Sequence, residues 1–454
     1  MKFYDRSVEM EALRHVVLQK NSSMIVISGR RRVGKSRLVD EFMKENKGYK
    51  VIAVPKEEKL ATSDFAEALT EQGYTPTFNS VKDAFKYFFT KSKERILYVD
   101  EFPNLIEVNP VIPFELQRIW DMHNGDTDKI LILSGSYVSM MDRIFTRQKA
   151  PLFNRASSKI LLDPLKQDVV WSILDNELQI KDPIQKIINY CIFGGIPYYY
   201  EVLEKQGRSA SGVNMFFATG QLREEGQDVL RQEVGGAYKK YFSILEAIGY
   251  GLASAGEIGN KIGIRQTTLS KYLIALQTDF KLIKREVPFG QNHYRSKKGI
   301  YVLNDNLLAF WFSLVYGNDI APNKSELDQF VSKRFEMLCM DFLVDFVVNN
   351  KKERPLKKGR WWGTCAVGEG KYEQREIDLV LETDKTLYIG ECKWSNGKVG
   401  ERDLVHLKQS GKAIKTKKQI KWILFSKTGF EVLESNDVLL FDAKGLSNNK
   451  LPYS

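Results

Sequence analysis

Cysteine is scarce in this chain, and that scarcity excludes two architectures. The 454 residues hold four, Cys191, Cys339, Cys365 and Cys392, far apart and without a CxxC pair, so neither a disulfide framework nor a zinc site is indicated. Long apolar runs are also missing. The longest, Leu307 to Tyr316, is too short to span a bilayer, and the opening MKFYDRSVEM does not read as a signal peptide. A cytoplasmic protein without membrane contact is expected. Acidic residues are the minority charge, 57 against 68 lysines and arginines, and the formal charge of +11 favours an acidic partner, nucleic acid first. A chain of this length with 43% hydrophobic residues has room for two to four domains with sizeable cores.

One motif is present in full. Gly29 to Ser36 reads GRRRVGKS and fits G-x-x-x-x-G-K-[ST] at every fixed position, after the apolar, strand-like run Met24 to Ile27. Gly29 and Gly34 let the backbone fold back so that successive N–H groups face a β-phosphate, Lys35 neutralises β/γ oxygens, and the Ser36 hydroxyl is a ligand for Mg²⁺. A helix starting near Lys35 adds its N-terminal partial charge, so Arg30, Arg31, Arg32, Val33 and Arg37 complete the expected ATP-binding stretch. A second apolar run, Ile96 to Val99, ends in Asp100 and Glu101 at the carboxyl edge where parallel α/β sheets place their chemistry. Asp100 is expected in the Mg²⁺ shell and Glu101 as the residue that polarises the attacking water. A third run, Lys129 to Leu133, leads to Ser134-Gly135-Ser136, where the Ser136 hydroxyl is placed to sense the γ-phosphate.

Strands and helices alternate to about Pro164, with further strand-like runs at Tyr49 to Val54 and Lys159 to Leu162 and helical spacing at Ser80 to Lys91 and Pro113 to His123. That alternation predicts a parallel sheet covered on both faces, a core of residues 1–165. Residues 166–236 read as a helical lid over the nucleotide, broken by GGIP at Gly194 to Pro197. Together with FYDRSVEMEAL, GRRRVGKSRL, ILYVDEFPNL, LILSGS, PLFNR (Pro151 to Arg155) and FGGIPYYY (Phe193 to Tyr200), the whole chain resembles the archaeal-type ATPases of the AAA+/STAND branch, which also occur in bacteria. The resemblance implies that Phe3, Tyr4 and Arg6 lie near the nucleotide base, and that Arg155 contacts phosphate within the chain or from a neighbouring subunit. It also implies a winged helix and a C-terminal nuclease-like domain after the ATPase. The chain departs from the family at Asn154, where glycine is usual.

Residues 237–304 fit a winged helix-turn-helix: helical spacing at Tyr241 to Gly249, Ser254 to Ile262 and Arg265 to Gln277, then wing strands at Lys281 to Arg285 and Gly299 to Leu303. In DNA readers the start of the recognition helix faces the groove, here Arg265, Gln266, Thr267, Thr268 and Lys271, and the wing loop Gln291 to Lys298, with Arg295 and Lys297, meets the backbone. Winged helices also hold proteins, so both partners stay open.

In the last region, residues 305–454, Arg375 to Glu382 (REIDLVLE) and Leu387 to Trp394 (LYIGECKW) are strand-like and separated by a short turn. They resemble the PD-(D/E)XK nuclease core. Glu391 and Lys393 are two apart on one strand, hence on one face, and the hairpin brings Asp378 alongside. The two carboxylates and the Cys392 carbonyl supply oxygens for Mg²⁺, and Lys393 steadies hydroxide or developing phosphorane charge. The resemblance adds Glu336, in KRFEMLCMDFL, as a third acidic ligand. The run Lys412 to Lys421 reads as a solvated helix face that could also track phosphates. The sequence therefore points to an ATP-hydrolysing switch coupled to DNA binding and Mg²⁺-dependent cleavage. An ATP-gated DNA-binding regulator and a protein-interaction scaffold, each with an inert nuclease-like domain, remain the alternatives, and a homo-oligomer is possible.

Overall fold

Five apolar runs in the first 165 residues are too short for helices and rich in Ile, Leu and Val, the composition of strands covered on both faces. A computed structural model, which describes residues 3–19, 21–207, 211–234, 237–368 and 371–448, shows them as β1 (Ser23–Gly29), β2 (Gly48–Ile52), β3 (Ile96–Asp100), β4 (Ile130–Gly135) and β5 (Ser158–Leu162). All pair in parallel, in the order β2-β3-β4-β1-β5. Because successive strand residues point to opposite faces, Met24 and Val26 enter a core with Phe65, Phe85 and Phe88, while Ile25 and Ile27 enter another with Leu13, Val39 and Phe42. The order sets β4 between β1 and β3. Three strand ends thus share one edge.

The described residues divide into two compact units, one within 3–165 together with 196–198, the other within 166–195 and 199–448. In the second unit the helices Tyr238–Gly249, Ala255–Ile262 and Gln266–Thr278 are followed by the antiparallel ribbon β6 (Ile283–Glu286) and β7 (Ile300–Leu303). The middle helix begins with a capping box: Ser254 accepts from the Glu257 N–H while Glu257 accepts from the Ser254 N–H. The run Leu307 to Tyr316 is not a membrane element but helix Asn306–Phe310 continued by a π turn, Trp311–Val315, with Trp311 and Phe312 buried. Among the described residues no helix is long and apolar enough to cross a membrane.

A second, mixed sheet follows, β8 (Pro355–Gly368), β9 (Lys371–Thr383), β10 (Thr386–Lys393), β11 (Gln419–Ser426) and β12 (Val438–Asp442), ordered β12-β11-β10-β9-β8. β10, β11 and β12 are parallel, and β9 and β8 antiparallel, to their neighbours. The 26-residue helix Lys324–Asn349 lies on this sheet, its Phe342 and Phe346 packed on Phe441. β8 forms the edge, and its pairing with β9 slips at Pro355/Lys357, Gly359/Trp361 and Ala366/Gly368. The lysine run is no helix face: helix Glu401–Gly411 ends before Lys412, and β11 starts at Gln419.

Candidate active sites

Gly34, with φ 101, starts helix Lys35–Glu45 in a left-handed conformation that glycine adopts at little cost. Gly29 is needed for another reason: a Cβ there would sit 2.6 Å from the Leu162 carbonyl oxygen of β5. Arg6 braces the loop from beneath, donating to the Val33 carbonyl at 3.3 Å and to the Asp163 carbonyl at 2.8 Å. Arg32, itself at φ 67, lays its guanidinium 4.2 Å over the Tyr198 ring. Lys35 is buried and its ammonium spans the loop, 3.0 Å from the Gly29 carbonyl, 3.1 Å from that of Arg30 and 2.9 Å from Ser136 Oγ.

The strand order explains why Ser136 is there. It follows β4, between the ends of β1 and β3, so it reaches Lys35 on one side and Glu101 on the other. Its N–H donates to Glu101 Oε2 at 3.0 Å and its hydroxyl to Glu101 Oε1. Glu101 is held at φ 53, a left-handed conformation costing a non-glycine residue on the order of 1 kcal/mol, as strained catalytic positions often do. Ser36 Oγ donates to Asp100 Oδ2 at 2.6 Å, and Ser134 donates to the other oxygen. A serine hydroxyl and a carboxylate this close suit a hydrated Mg²⁺ that takes few protein ligands.

Arg155 is a correction. Ser157 donates to the Met24 carbonyl, so the segment before β5 lies at the amino end of β1, whereas the P-loop follows its carboxyl end, roughly 20 Å away. Parallel pairing of β5 with β1 dictates this. Arg155 instead grips Asp121 with two bonds of 2.7 Å, and it makes no phosphate contact within its own chain. Asn154 sits at φ 58, a conformation that glycine and asparagine both accept, so the departure from glycine is structurally neutral.

In the second unit β9 and β10 pair in a register that reaches Leu379 opposite Gly390. One step further sets Asp378 opposite Glu391, on the same face as Lys393. The Cys392 N–H donates to Asp378 Oδ2 at 2.9 Å, and Lys393 Nζ lies 2.6 Å from Glu391 Oε1. Burial, followed by the charge of Glu391, pushes the Asp378 carboxyl up to about 6. Burial, with Asp378 next, pushes Glu336 up to about 8. Burial pulls the Lys393 ammonium down, but Glu391 outweighs it and leaves the group raised. Two adjacent carboxylates held in this way fit a divalent cation that keeps waters. Glu336 does not complete the expected trio. Its carboxylate pairs with Arg360, whose Nε lies 3.3 Å away, and among the described residues no three His, Cys, Asp or Glu side chains are spaced to hold a metal.

Residues 3–203 match the model of an ATPase domain found predominantly in Archaea, and residues 314–416 match a family of archaeal and bacterial proteins of unknown function. An uncharacterised protein of Methanocaldococcus jannaschii is 30% identical over 461 residues, covering 98% of this chain and all of the relative. The chain belongs to this archaeal-type ATPase family. A Walker-type ATPase of Pyrococcus abyssi is similar in fold, with TM-score 0.51, 18% identity, and coverage of 69% of this chain and 96% of that one. The ORC2 protein of Aeropyrum pernix gives TM-score 0.45 at 15% identity, covering 74% and 96%. The chain is thus a P-loop ATPase that binds ATP, and its P-loop, Glu101 and Ser136 all lie within the matched ATPase segment.

The structure also places the other expected contact residues of the ATPase. Arg265 is the N-cap of helix Gln266–Thr278, and Arg265, Gln266, Thr267, Thr268 and Lys271 are exposed on its first turns. In the loop between β6 and β7, Arg295 and Lys297 are exposed beside Tyr294, which is 93% exposed. Sequence reasoning missed Arg360 and Ser134. Ser134 was visible only as half of an SGS turn. Arg360 carries no motif, since its partners Glu286, Glu336 and Glu376 come from three distant segments.

Proposed function

We propose that this ATPase couples its nucleotide state to DNA engagement by the winged helix and to Mg²⁺-dependent phosphodiester cleavage in the mixed-sheet domain. The observation that carries the reading is the β9–β10 register, which runs to Leu379 opposite Gly390 and so aligns Asp378 with Glu391, together with the Cys392 N–H on Asp378 and Lys393 on Glu391. Ser36 and Asp100 would hold Mg²⁺ at the P-loop, and Asp378, Glu391 and the Cys392 carbonyl would hold it in the sheet. Bound there, the ion would lower the pKa of a coordinated water. Lys35 binds β/γ oxygens, and Glu101 orients water once it leaves Ser136. Lys393, drawn toward charge by Glu391, stabilises negative charge building on the phosphorus. Arg265, Gln266, Thr267 and Lys271, with Arg295 and Lys297 of the wing, meet the duplex. Arg155, half-buried before β5, would have to leave Asp121 to meet a neighbouring subunit of a homo-oligomer.

The decisive experiment is a plasmid-cleavage assay of the purified chain with and without Mg²⁺ and ATP. Asp378→Ala is expected to abolish Mg²⁺-dependent cleavage and leave ATP hydrolysis intact. Cleavage that survives Asp378→Ala would overturn the assignment. The ion pairing of Glu336 with Arg360 favours a second reading, an ATP-gated DNA-binding regulator with an inert nuclease-like domain, and the same assay selects it if no cleavage occurs under any condition.

A further inference from the structure

Arg360 lies among three carboxylates in a cavity that Asp378 also lines. Its guanidinium is within 3.3 Å of Glu336, 3.4 Å of Glu376 and 4.0 Å of Glu286. With Asp378, these residues line a cavity of about 690 Å³ between the ribbon β6–β7 and the mixed sheet. Glu286 is the last residue of β6, so one wall of the cavity belongs to the winged helix. Three residues later the same segment grips β8 at the arginine itself: the Phe289 N–H donates to the Arg360 carbonyl at 2.7 Å. The Phe289 ring packs against the core of the mixed sheet, with Lys357 Nζ 5.0 Å above it.

We infer that Arg360 is an internal cation that keeps a divalent metal out of the Asp378 site, and that the base of the wing holds it in place. The inference rests on the reading of Asp378, Glu391 and Lys393 as a cleavage site. Arg360 pairs with Glu336, Glu376 and Glu286 rather than with Asp378 itself, but both line one cavity and the guanidinium charge reaches the Asp378 carboxylate, so a divalent ion placed there is repelled in a poorly solvated space. The forked guanidinium suits several carboxylates at once, so it wins while its geometry is held. The wing segment contributes two of the contacts that fix this geometry, the Glu286 carboxylate 4.0 Å from the guanidinium and the Phe289 N–H on the Arg360 carbonyl, beside Glu336 and Glu376 from elsewhere. Displacement of the wing breaks its two contacts together. The winged helix thereby becomes a latch: with the wing docked the carboxylates are neutralised from within, and with the wing away they are free for a metal.

The test is Mn²⁺ binding to the full-length, nucleotide-free chain, followed by the paramagnetic resonance of free Mn²⁺. Arg360→Gln should bind Mn²⁺ at least about tenfold more tightly than the parent, a change of the size that groups behind metal ligands produce. Phe289→Ala, which keeps the arginine and its partners but loosens the wing, should shift affinity in the same direction. Adding Asp378→Asn to either should erase the gain, and ATP hydrolysis should stay at the parental rate. Equal, Asp378-dependent affinity in parent and variants overturns the latch and leaves the cleavage site standing. No Asp378-dependent Mn²⁺ binding in variants shown to be folded overturns both. If Arg360→Gln does not fold, Phe289→Ala decides in the same terms.

Discussion

In the proposed mechanism Lys35 meets phosphate charge before and during the reaction and Glu101 acts only on the water, so the two should fail differently when substituted. Lys35→Ala is expected to weaken nucleotide binding and to lower turnover by at least about 100-fold, while Glu101→Gln binds ATP normally and retains it unhydrolysed. Nucleotide-binding titrations and single-turnover hydrolysis separate the two. Asp378 leads to a prediction about pH. Its carboxyl rises from 3.8 to about 6 on folding, so the fold favours the protonated form. Stability from this group is full below about pH 4 and is lost as pH rises through about 6, and Glu336, raised to about 8, continues the loss. Asp378→Asn in metal-free buffer should therefore raise Tm at pH 7 and flatten the fall between about pH 4 and 6, as melting curves across that range will show. A Tm at pH 7 equal to or below the parent would contradict the buried-charge account. Residues whose placement is local were legible in the sequence: the P-loop, Asp100-Glu101 at the end of β3 and Glu391 with Lys393 on β10 lie where their spacing put them. Arg155 and Arg360 were not, because one depends on which end of β1 receives β5 and the other on three segments meeting.

At the level of elements, helix Gln266–Thr278 exposes its first turns because Leu269, Leu273 and Leu276 turn the opposite side inward. If Arg265 and Lys271 meet phosphates, replacing both by Ala should reduce duplex affinity and lower the salt slope by about 2, one counterion step per lost contact. Binding titrations over a range of KCl concentrations test this, and unchanged affinity with an unchanged slope would assign the module to protein recognition. Boundaries of these elements were readable to within a few residues because capping groups and glycines punctuate them, as Ser254 and Gly263 do around helix Ala255–Ile262. The lysine run misled because exposed charge has no period of its own, and the chain there turns toward a buried strand.

For the molecule as a whole, division into two compact units gives each its own core, so the two are expected to unfold as separate cooperative transitions even where a bound ligand couples their conformations. Differential scanning calorimetry should resolve two transitions, of which ATP with Mg²⁺ raises only the one belonging to residues 3–165, by mass action on the folded state. Asp378→Asn should move only the other. A single transition shifted by both would show that the units unfold together.

The broken register of β8 has a consequence for solubility. A 14-residue edge strand presents a row of unpaired amides to any strand that drifts alongside, the template on which proteins aggregate. Here the row is interrupted at three slips, flanked by exposed Lys357 and Lys358, and occupied near its middle by the Phe289 amide. A wing that releases Arg360 also uncovers that stretch of edge. Every opening thus presents a sticky border to solvent, and the lysines and slips that remain keep an activated molecule from pairing with its own copies.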